Sequence, residues 1–441
     1  MHSGIGLENY HNTSWKWPTV RSLQVLLWEI LLFLMLFMPR NIQEIKTVIL
    51  VTLTFLTIIQ TISCRRIELN RKVVRIILLF LSYALLASLI GFYRLNPGVS
   101  GFFRVNVIYY ILFTFLITGI NNMQLFMRII RTILLASNAI SIYSILLLLV
   151  NLGVWPESLF IKLDPTSRVG IHPGYTHLVN TNLSMMIFIA PFVTILFIER
   201  YSNQYISKRL IVISEILLVI AVILSGRRVL WISLFLPFLM LLLKYNKKVK
   251  LKKIGKFFVV LLIIITILLI MNYYLSISLG GLADRFFSAF QGSEGGIRIN
   301  QISILFQGFL KYPIFGSGAG IGVSDLVRST NNWVYELSYN LILYNSGLVG
   351  SILYATSLLL ILFYLWKWSR QDKDNRISTA IAIAYISALI SNATNPYFSS
   401  SFDFLWFIFI PLMFINIKHK DYENLKLKPV LQKEYAHFCN K

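Results

Sequence analysis

Residues 257–275, FFVVLLIIITILLIMNYYL, form a nearly unbroken apolar run, and a long polar stretch, residues 276–346, follows directly after it. A helix needs roughly 17 to 25 mostly apolar residues to cross a lipid bilayer, and this run meets that requirement. The polar stretch concentrates charged side chains between two apolar runs, among them Arg298 and Glu336. The sequence therefore predicts a membrane protein whose chemistry lies in one long loop.

The apolar pattern recurs along the whole chain. Of its 441 residues, 56% are hydrophobic and only 13% are charged, and the mean hydropathy of +0.70 is too high for a water-soluble protein. The predicted fold class is all-α, a polytopic membrane protein of about 12 transmembrane helices with a large outward loop between the ninth and tenth spans. The predicted spans are residues 23–38, 45–62, 73–92, 103–119, 129–152, 178–198, 210–224, 229–243, 257–275, 348–366, 377–393 and 404–417.

Basic residues are distributed unevenly between the two sides of this predicted bundle. With the amino terminus inside, 29 of the 41 lysines and arginines fall in inward loops or tails. Because basic residues are enriched in cytoplasmic loops, this bias places both termini in the cytoplasm and the long polar loop outside. The net charge of +23 is thus mainly a signal of topology, and nucleic acid is not expected as a partner.

The chain is expected to form one membrane domain, residues 23–417, between cytoplasmic tails at residues 1–22 and 418–441. The polar segment before the first span lacks an apolar core, so no cleavable signal peptide is expected and the first span serves as an uncleaved signal. Cys64 and Cys439 both fall on the predicted inner side, so no disulfide framework is implied.

Three predicted outward regions contain unusual residues: the loop 155–177, the turn LSGRRVLW at 224–231, and the long polar loop 276–346. Within the polar loop, residues 299–310 have the spacing of a short amphipathic surface helix. The glycines of FGSGAGIG then predict a flexible or tightly turned connection. Residues 332–345 are compatible with a helix but carry polar side chains, so we expect them to lie over a polar cavity that opens outward.

Four arginines in these regions are candidates for binding an anionic ligand. Arg227 and Arg228 occupy a turn too short to carry them far from the bilayer, and an arginine at membrane depth costs at least ~2.5 kcal/mol. The alternative is that both reach out to lipid phosphates. Arg298 begins the predicted amphipathic helix, and Arg168 lies in the loop 155–177. Taken singly, each also fits a charge at the rim of the expected cavity. Because a guanidinium binds phosphate bidentately and stays charged, converging arginines indicate a phosphate-bearing ligand.

His172 and His177 are spaced as H-x4-H, which is one pattern for metal ligands on a helix. Pro173 and Gly174 lie between them and disfavour a helix. Cysteines and carboxylates are scarce nearby, so no metal site is expected. We interpret both histidines as polar loop residues or as contacts to a substrate.

Glu336 is the candidate catalytic base, because a carboxylate at the mouth of the expected cavity can accept a proton from a substrate hydroxyl. Its spacing fits equally well with a glutamate on a helix surface or with an ion-pair partner of Arg298 or Arg328. If Glu336 is not the base, Asp325 and Asp403 are the next candidates.

Aromatic residues lie close to Glu336 in the sequence. Trp333, Tyr335 and Tyr339 can stack on sugar rings and are candidates for binding a glycan. Aromatic belts at membrane interfaces give the same pattern, so both interpretations stay open.

At these residues the chain resembles the bacterial superfamily of O-antigen polymerases and O-antigen ligases. The resemblance runs over roughly residues 168–364 and rests on three segments. They are the LSGRR turn, the run GGIRINQISILFQGFLKYPIFGSGAG at 295–320, and ELSYNLILYNSGLVG at 336–350. The middle run matches the family's pattern of an arginine, an amphipathic helix and P-[IL]-F-G-x-G.

Similarity to this family implies a membrane glycosyltransferase of the bacterial plasma membrane that needs no metal, cofactor or nucleotide sugar. Its donor is a polyprenyl-diphosphate-linked glycan, and Arg227 or Arg228, together with Arg298, matches the arginines that hold the donor diphosphate. Ligases of the family usually carry a histidine and an asparagine where this chain has Glu336 and Leu337. The departure favours a polymerase of O-antigen, capsule or exopolysaccharide repeat units.

The expected partners are polyprenyl-diphosphate-linked oligosaccharides as donor and acceptor, membrane lipid and, as a candidate, a chain-length regulator protein. Two other functions stay open: ligase-type transfer of glycan to an acceptor, and a flippase for lipid-linked oligosaccharide. A flippase is expected to carry charges at mid-membrane depth and to have two balanced halves. Here the charges collect on one predicted face.

Overall fold

The computed structural model describes residues 17–64, 69–120, 122–164, 167–172, 175–244, 293–323, 331–371 and 376–420, with scattered positions between 255 and 284. Within these ranges the chain is mostly helical, which confirms the helical fold class, and it contains one two-stranded hairpin. Most of the predicted ninth span, most of both predicted tails, and Asp325 and Arg328 lie outside the described residues.

The first half of the chain forms a series of apolar helices. They are α1 Trp17–Phe37, α2 Gln43–Cys64, α3 Arg71–Tyr93, α4 Val99–Phe103, a π-helical segment Arg104–Tyr109, α5 Tyr110–Gly119 and α6 Met123–Asn151. Polar side chains cap two of them, because Asn70 accepts the Lys72 N–H at the start of α3 and Asn122 accepts the Leu125 N–H at the start of α6.

A hairpin and a second set of helices follow. A short 3₁₀ turn, Glu157–Leu159, precedes strands β1 Arg168–His172 and β2 Tyr175–Val179, and a second 3₁₀ turn, Thr181–Met185, leads into α7 Met186–Ile198, α8 Lys208–Leu224 and α9 Arg228–Lys244. The later helices are α10 Ser293–Lys311, α11 Ser338–Gln371, α12 Arg376–Asn392, the short α13 Tyr397–Ser400, and α14 Phe402–Lys420, which begins as a 3₁₀ turn.

Seven helical segments of the described residues are long and apolar enough to cross a membrane. They are Gln43–Ser63, Arg71–Tyr93, Val99–Gly119, Met123–Asn151, Thr181–Ile198, Ser338–Arg370 and Phe402–Lys420. Three further apolar helices are shorter: Ser22–Phe37, Arg228–Leu242 and Arg376–Asn392. These helices indicate a membrane protein, as the sequence predicts, while the total of about 12 spans stays a prediction.

Several predicted span boundaries are wrong. The sixth span begins at Thr181 rather than at 178, because Leu178 belongs to β2. Helix α11 begins ten residues before the predicted start at 348 and kinks at Gly347, where φ is 62°. Its first part carries Asn345, which is 5% exposed, so the protein rather than lipid covers this polar side chain. The end helices are also longer than predicted, since α1 starts at Trp17 and α14 reaches Lys420.

The centre of the bundle is formed by α14 and by the segment Thr181–Ile198, which the other helices cover almost completely. Around them α7 packs against α12 and α9, α11 against α3 and α12, and α6 against α1 and α8. Aromatic rings fill the interior; Phe80, for example, stacks on Tyr110 with ring centroids 4.1 Å apart. Outer helices such as α2 instead expose apolar side chains, which suits contact with lipid.

The sequence left open whether the glycine-rich segment FGSGAGIG is flexible or tightly turned. In the structure it is tightly turned and held by hydrogen bonds. Three of its buried glycines have positive φ angles: Gly316 (78°), Gly318 (82°) and Gly320 (84°). The Gly318 N–H donates to the Asn345 carbonyl (2.9 Å), and the Ala319 N–H donates to the Ala87 carbonyl (2.8 Å). The segment thereby joins α3 to the kink of α11 and fixes the start of α11.

Gly318→Ala should destabilise this junction. A Cβ at Gly318 would lie 2.5 Å from the backbone nitrogen of Gly91, too close for a real contact. The free energy of unfolding should fall by at least about 2 kcal/mol, because the strain of a left-handed side chain adds to the steric displacement. Thermal unfolding of the purified protein in detergent measures the effect. Gly101→Ala is the control, since a Cβ there meets nothing within 4 Å; equal melting temperatures for the two variants would contradict this packing.

Candidate functional site

A β-hairpin lies where the sequence predicted a polar loop. Strands β1 and β2 are antiparallel, with Arg168 opposite Val179 and Gly170 opposite His177. Along β2 the side chains alternate between partly buried and buried, as expected of a strand that covers another part of the protein on one face.

The buried face of β2 covers the LSGRR turn between α8 and α9. The Thr176 hydroxyl donates to the Leu224 carbonyl at 2.6 Å, and the Leu178 N–H donates to the Ser225 carbonyl at 3.0 Å. Gly226 has a φ of 60°, and a Cβ there would lie 1.9 Å from the Thr176 carbonyl oxygen. The turn therefore requires glycine at this position, and the hairpin fixes the residue that follows it.

That residue is Arg227, whose guanidinium is held by the hairpin and by the turn after it. Nε donates to the Leu178 carbonyl (3.3 Å), Nη2 to the Asn180 carbonyl (2.8 Å) and Nη1 to the Ser184 hydroxyl (3.1 Å). All three acceptors are neutral, and no carboxylate among the described residues pairs with Arg227. These bonds use three of the five N–H groups of the guanidinium and leave two for a ligand.

Arg227 is partly buried, and no carboxylate among the described residues neutralises its charge. Burial lowers the pKa of Arg227 from its usual value, and the nearby Tyr397 hydroxyl opposes that effect. A guanidinium nevertheless stays charged in proteins. Because a buried charge is costly unless it is paired, this site favours an anionic ligand.

Tyr397, at the start of α13, connects Arg227 to the rest of the site. Its hydroxyl lies close to Ser184 and interacts electrostatically with Arg227, Arg40 and Glu336. Burial raises the pKa of Tyr397, while the two arginines and Ser184 oppose that rise. The hydroxyl is therefore protonated at physiological pH and can donate a hydrogen bond to a ligand.

Arg298 and Glu336 form an ion pair, with Nε and Oε2 3.0 Å apart. The pair joins α10 to the residues that precede α11, and the two side chains are 33% and 19% exposed. The sequence left open whether Glu336 lies on a helix surface or pairs with an arginine, and in the structure it pairs with Arg298. We call Arg227, Arg298, Glu336 and Tyr397 the arginine cluster, since Tyr397 interacts with both Arg227 and Glu336.

The other predicted polar residues differ in how close they come to this cluster. Arg228 is the first residue of α9 and is partly exposed. Arg168 has an exposed side chain at the start of β1, and the described contacts do not join it to Arg227. His172 ends β1, and the backbone of His177 lies beside the LSGRR turn. The structure therefore brings His177 near the candidate site and leaves Arg168 at the surface.

The three candidate glycan-binding aromatics have different surroundings. Tyr335 is 1% exposed, and its hydroxyl accepts a backbone N–H, so its ring supports the loop and does not present a face for stacking. Trp333 is partly exposed, with its indole against Gly98. Tyr339 is 36% exposed and donates its hydroxyl to the Leu389 carbonyl at 2.8 Å. Trp333 and Tyr339 therefore remain the candidates for contacting a sugar.

Asp403, a reserve candidate for the base, is fully occupied by other contacts. It forms an ion pair with Lys46, and both side chains are 0% exposed. Its other oxygen accepts from the Gln43 amide (2.6 Å), the Arg40 backbone N–H (2.8 Å) and the Ser401 hydroxyl (2.8 Å). With these donors in place, Asp403 is not available to take a proton from a substrate.

Sequence reasoning missed Tyr397, Ser184 and the Lys46–Asp403 pair. A signal existed for the pair, because a lysine and an aspartate each stand at the start of a predicted apolar span, where a charge needs a partner. No comparable signal marks Tyr397 among 22 tyrosines. Within the described residues, no group of three His, Cys, Asp or Glu side chains is arranged to hold a metal ion.

No protein-family model matches the chain, and no curated protein matches it. The arginine cluster is therefore the basis for assigning a function. The resemblance of three segments to O-antigen polymerases and ligases stays a prediction.

Gly226→Ala should separate the hairpin from the LSGRR turn, because its Cβ would occupy the position of the Thr176 carbonyl. Hydrogen exchange followed by mass spectrometry should then show faster exchange over residues 175–180, where the Leu178 N–H is now bonded. Gly153→Ala is the matched control, since Gly153 also has a positive φ (72°) but open space around it. Unchanged exchange over 175–180 in Gly226→Ala would show that the hairpin does not cover the turn.

Proposed function

We propose that this protein is a metal-independent membrane glycosyltransferase that polymerises polyprenyl-diphosphate-linked oligosaccharide repeat units at the outer face of the bacterial plasma membrane. The units belong to O-antigen, capsule or exopolysaccharide. The observation that carries the proposal is the partly buried guanidinium of Arg227. It lacks a carboxylate among the described residues, and Tyr397 interacts electrostatically with it and with Glu336 of the Arg298–Glu336 pair. A diphosphate supplies the missing negative charge, and its oxygens match the guanidinium fork.

In the proposed reaction, a hydroxyl of the acceptor sugar attacks the anomeric carbon of the donor. The bond from that carbon to the diphosphate oxygen breaks, and polyprenyl diphosphate leaves with the bonding electrons. Arg227 and Arg298 stabilise the charge on the leaving diphosphate, a role that a divalent metal fills in many soluble enzymes. One close pair of unit charges contributes roughly 4 kcal/mol at an effective dielectric constant near 20, before desolvation is subtracted.

The ion pair between Arg298 and Glu336 suits a site in which Arg298 exchanges its carboxylate partner for a phosphate group. When a diphosphate enters, Arg298 can turn toward the phosphate oxygens, because both side chains retain some exposure. The Oε2 atom of Glu336 that Arg298 now contacts can then accept the proton of the attacking hydroxyl. Tyr397, which interacts electrostatically with Arg227 and Glu336, can donate a further hydrogen bond to the departing oxygen.

The helix that carries Arg298 also suits a lipid-linked substrate. Helix α10 exposes a row of apolar side chains: Ile299 (66%), Ile302 (45%), Phe306 (50%) and Leu310 (58%). Their spacing places them along one side of the helix. A polyprenyl tail can lie against this row while its diphosphate reaches Arg298, which lies in the same helix just before the row, in the second turn.

A flippase for lipid-linked oligosaccharide is the second candidate. Glu215 favours it, because this buried side chain lies in the middle of α8 and accepts the Thr194 hydroxyl at 3.1 Å. A carboxylate within a membrane helix is a functional candidate by default. A flippase forms no glycosidic bond, so the formation of polymer by purified protein separates the two functions.

Purified protein incubated with lipid-linked repeat units and EDTA should produce a ladder of polymer on a gel. Arg227→Ala should slow ladder formation by at least about 10²-fold, because the leaving diphosphate loses a preorganised donor. Arg209→Ala is the control; this arginine is exposed and lies near the start of α8, at the opposite end of that helix from Arg227. Wild-type rates in Arg227→Ala would remove this residue from the mechanism, and the absence of any ladder from the wild type would contradict the proposed function.

Glu336→Gln should lower the rate by about 10² to 10⁴ and leave the protein folded, because glutamine can still contact Arg298 but cannot accept a proton. The same ladder assay measures the rate, and detergent thermal unfolding checks the fold. Glu157→Gln, which alters an exposed glutamate paired with Lys162, should behave like the wild type. If Glu336→Gln makes polymer of normal amount and length, another group takes the proton.

A further inference from the structure

The turn between α1 and α2 holds an arginine in an unusual backbone conformation. Arg40 has a φ of 66°, and Ile42 has a φ of 46°, although neither is glycine. Left-handed backbone is costly for residues with side chains and persists where surrounding contacts enforce it. Such residues are concentrated at functional sites, so the contacts of this turn are informative.

Several hydrogen bonds fix the turn. The Lys46 ammonium donates to the Met38 carbonyl (3.0 Å), the Asn41 amide donates to the Leu163 carbonyl (2.6 Å), and the Arg40 N–H donates to Asp403 (2.8 Å). The Lys46–Asp403 ion pair lies directly beneath it and is fully buried. The turn is therefore built around a buried ion pair that its own backbone helps to satisfy.

These contacts use the backbone of Arg40 and leave its guanidinium available. Lys46 neutralises Asp403. The hydrogen bond that Asp403 accepts from Arg40 comes from the backbone N–H and not from the guanidinium. The guanidinium carbon instead lies 5.9 Å from the centre of the Phe404 ring, and the side chain is exposed. No carboxylate among the described residues pairs with this side chain.

Phe404 is a shared neighbour of this guanidinium and of Tyr397 in the arginine cluster. The ring of Phe404 lies 5.4 Å from the ring of Tyr397, and Tyr397 interacts with both Arg40 and Arg227. The short turn Thr181–Met185 also contacts both arginine-bearing segments. Its Asn182 donates to the Phe37 carbonyl, and its Ser184 accepts from Arg227.

We infer that Arg40 is a third anion-binding residue of the arginine cluster, and that the Lys46–Asp403 pair is the positioning device that presents it to a diphosphate. This inference rests on the proposed function. With Arg227 held by the hairpin and Arg298 on α10, Arg40 supplies a cation from a third part of the chain. Two phosphate groups then meet three guanidinium groups around the Tyr397 hydroxyl.

Equilibrium binding of farnesyl diphosphate, a short prenyl diphosphate, to the purified protein in detergent tests this inference. Arg40→Ala should raise the Kd by about 10- to 100-fold, because a charged hydrogen bond to phosphate is lost. Arg40→Lys should restore part of the lost affinity, because lysine keeps the positive charge. Arg200→Ala is the matched control: Arg200 is also exposed, has a φ of 50° and lies at the opposite end of α7 from Ser184. Its Kd should equal that of the wild type.

The positioning role needs a separate measurement. The double variant Lys46→Met, Asp403→Asn removes both buried charges together, which avoids leaving one of them unpaired. This double variant should raise the Kd for farnesyl diphosphate when Arg40 is present. In the Arg40→Ala background it should cause no further rise in the Kd. An equal loss in both backgrounds would show that the pair acts on the fold and not through Arg40.

The outcomes separate the inference from the proposed function. If Arg40→Ala binds like the wild type while Arg227→Ala does not bind, the inference is wrong and the proposed function stands. If the wild-type protein has no affinity for farnesyl diphosphate, both are overturned. If the double variant does not fold, the Arg40→Ala measurement alone decides the role of Arg40, because that side chain is exposed.

Discussion

The constraint on which the proposed function depends is a partly buried guanidinium, that of Arg227, which no carboxylate among the described residues neutralises. Arg227 is held by two backbone carbonyls and one hydroxyl, so its position is fixed while its charge is not neutralised within the described residues. An ion pair with the protein itself would have stabilised the fold more simply. In the proposed reaction, this arrangement keeps a cation in place for the diphosphate of the donor, as preorganised electrostatic sites do for leaving groups.

The surrounding fold serves to bring separate segments to that guanidinium. The hairpin of β1 and β2 covers the LSGRR turn, and the glycine-rich segment fixes the kink of α11 after Glu336. The Lys46–Asp403 pair holds the turn between α1 and α2. Each device uses either a glycine that accepts a positive φ or a buried polar contact, and each would be disrupted by one substitution. Helices that satisfy their own backbone in a membrane cannot provide such a site, so these irregular segments lie where the protein covers them.

The sequence was sufficient to predict helices and to single out the LSGRR turn and three polar residues of the arginine cluster, whose function stays a prediction. Arg227, Arg298 and Glu336 are recognisable because charges near apolar spans are costly and need a reason. The hairpin was not predicted, because its strands have five residues each and Leu178 and Val179 continue the apolar pattern of the next helix. The positions of Lys46 and Asp403 beside apolar spans indicate that each needs a partner, but not which one, since the two residues are 357 positions apart. No local pattern indicates the approach of Arg40 to Tyr397. Burial of Tyr335 likewise follows from loop packing that the spacing of aromatics does not reveal.

The central claim is that arginines from different parts of the chain bind one diphosphate. An experimental structure of the wild-type protein with a bound polyprenyl diphosphate tests it most directly. We expect the phosphate oxygens to lie about 3 Å from the guanidinium nitrogens of Arg227 and Arg298, with the Arg298–Glu336 ion pair opened. Diphosphate bound elsewhere, with Arg298 still paired to Glu336 and no ligand at Arg227, would contradict the account.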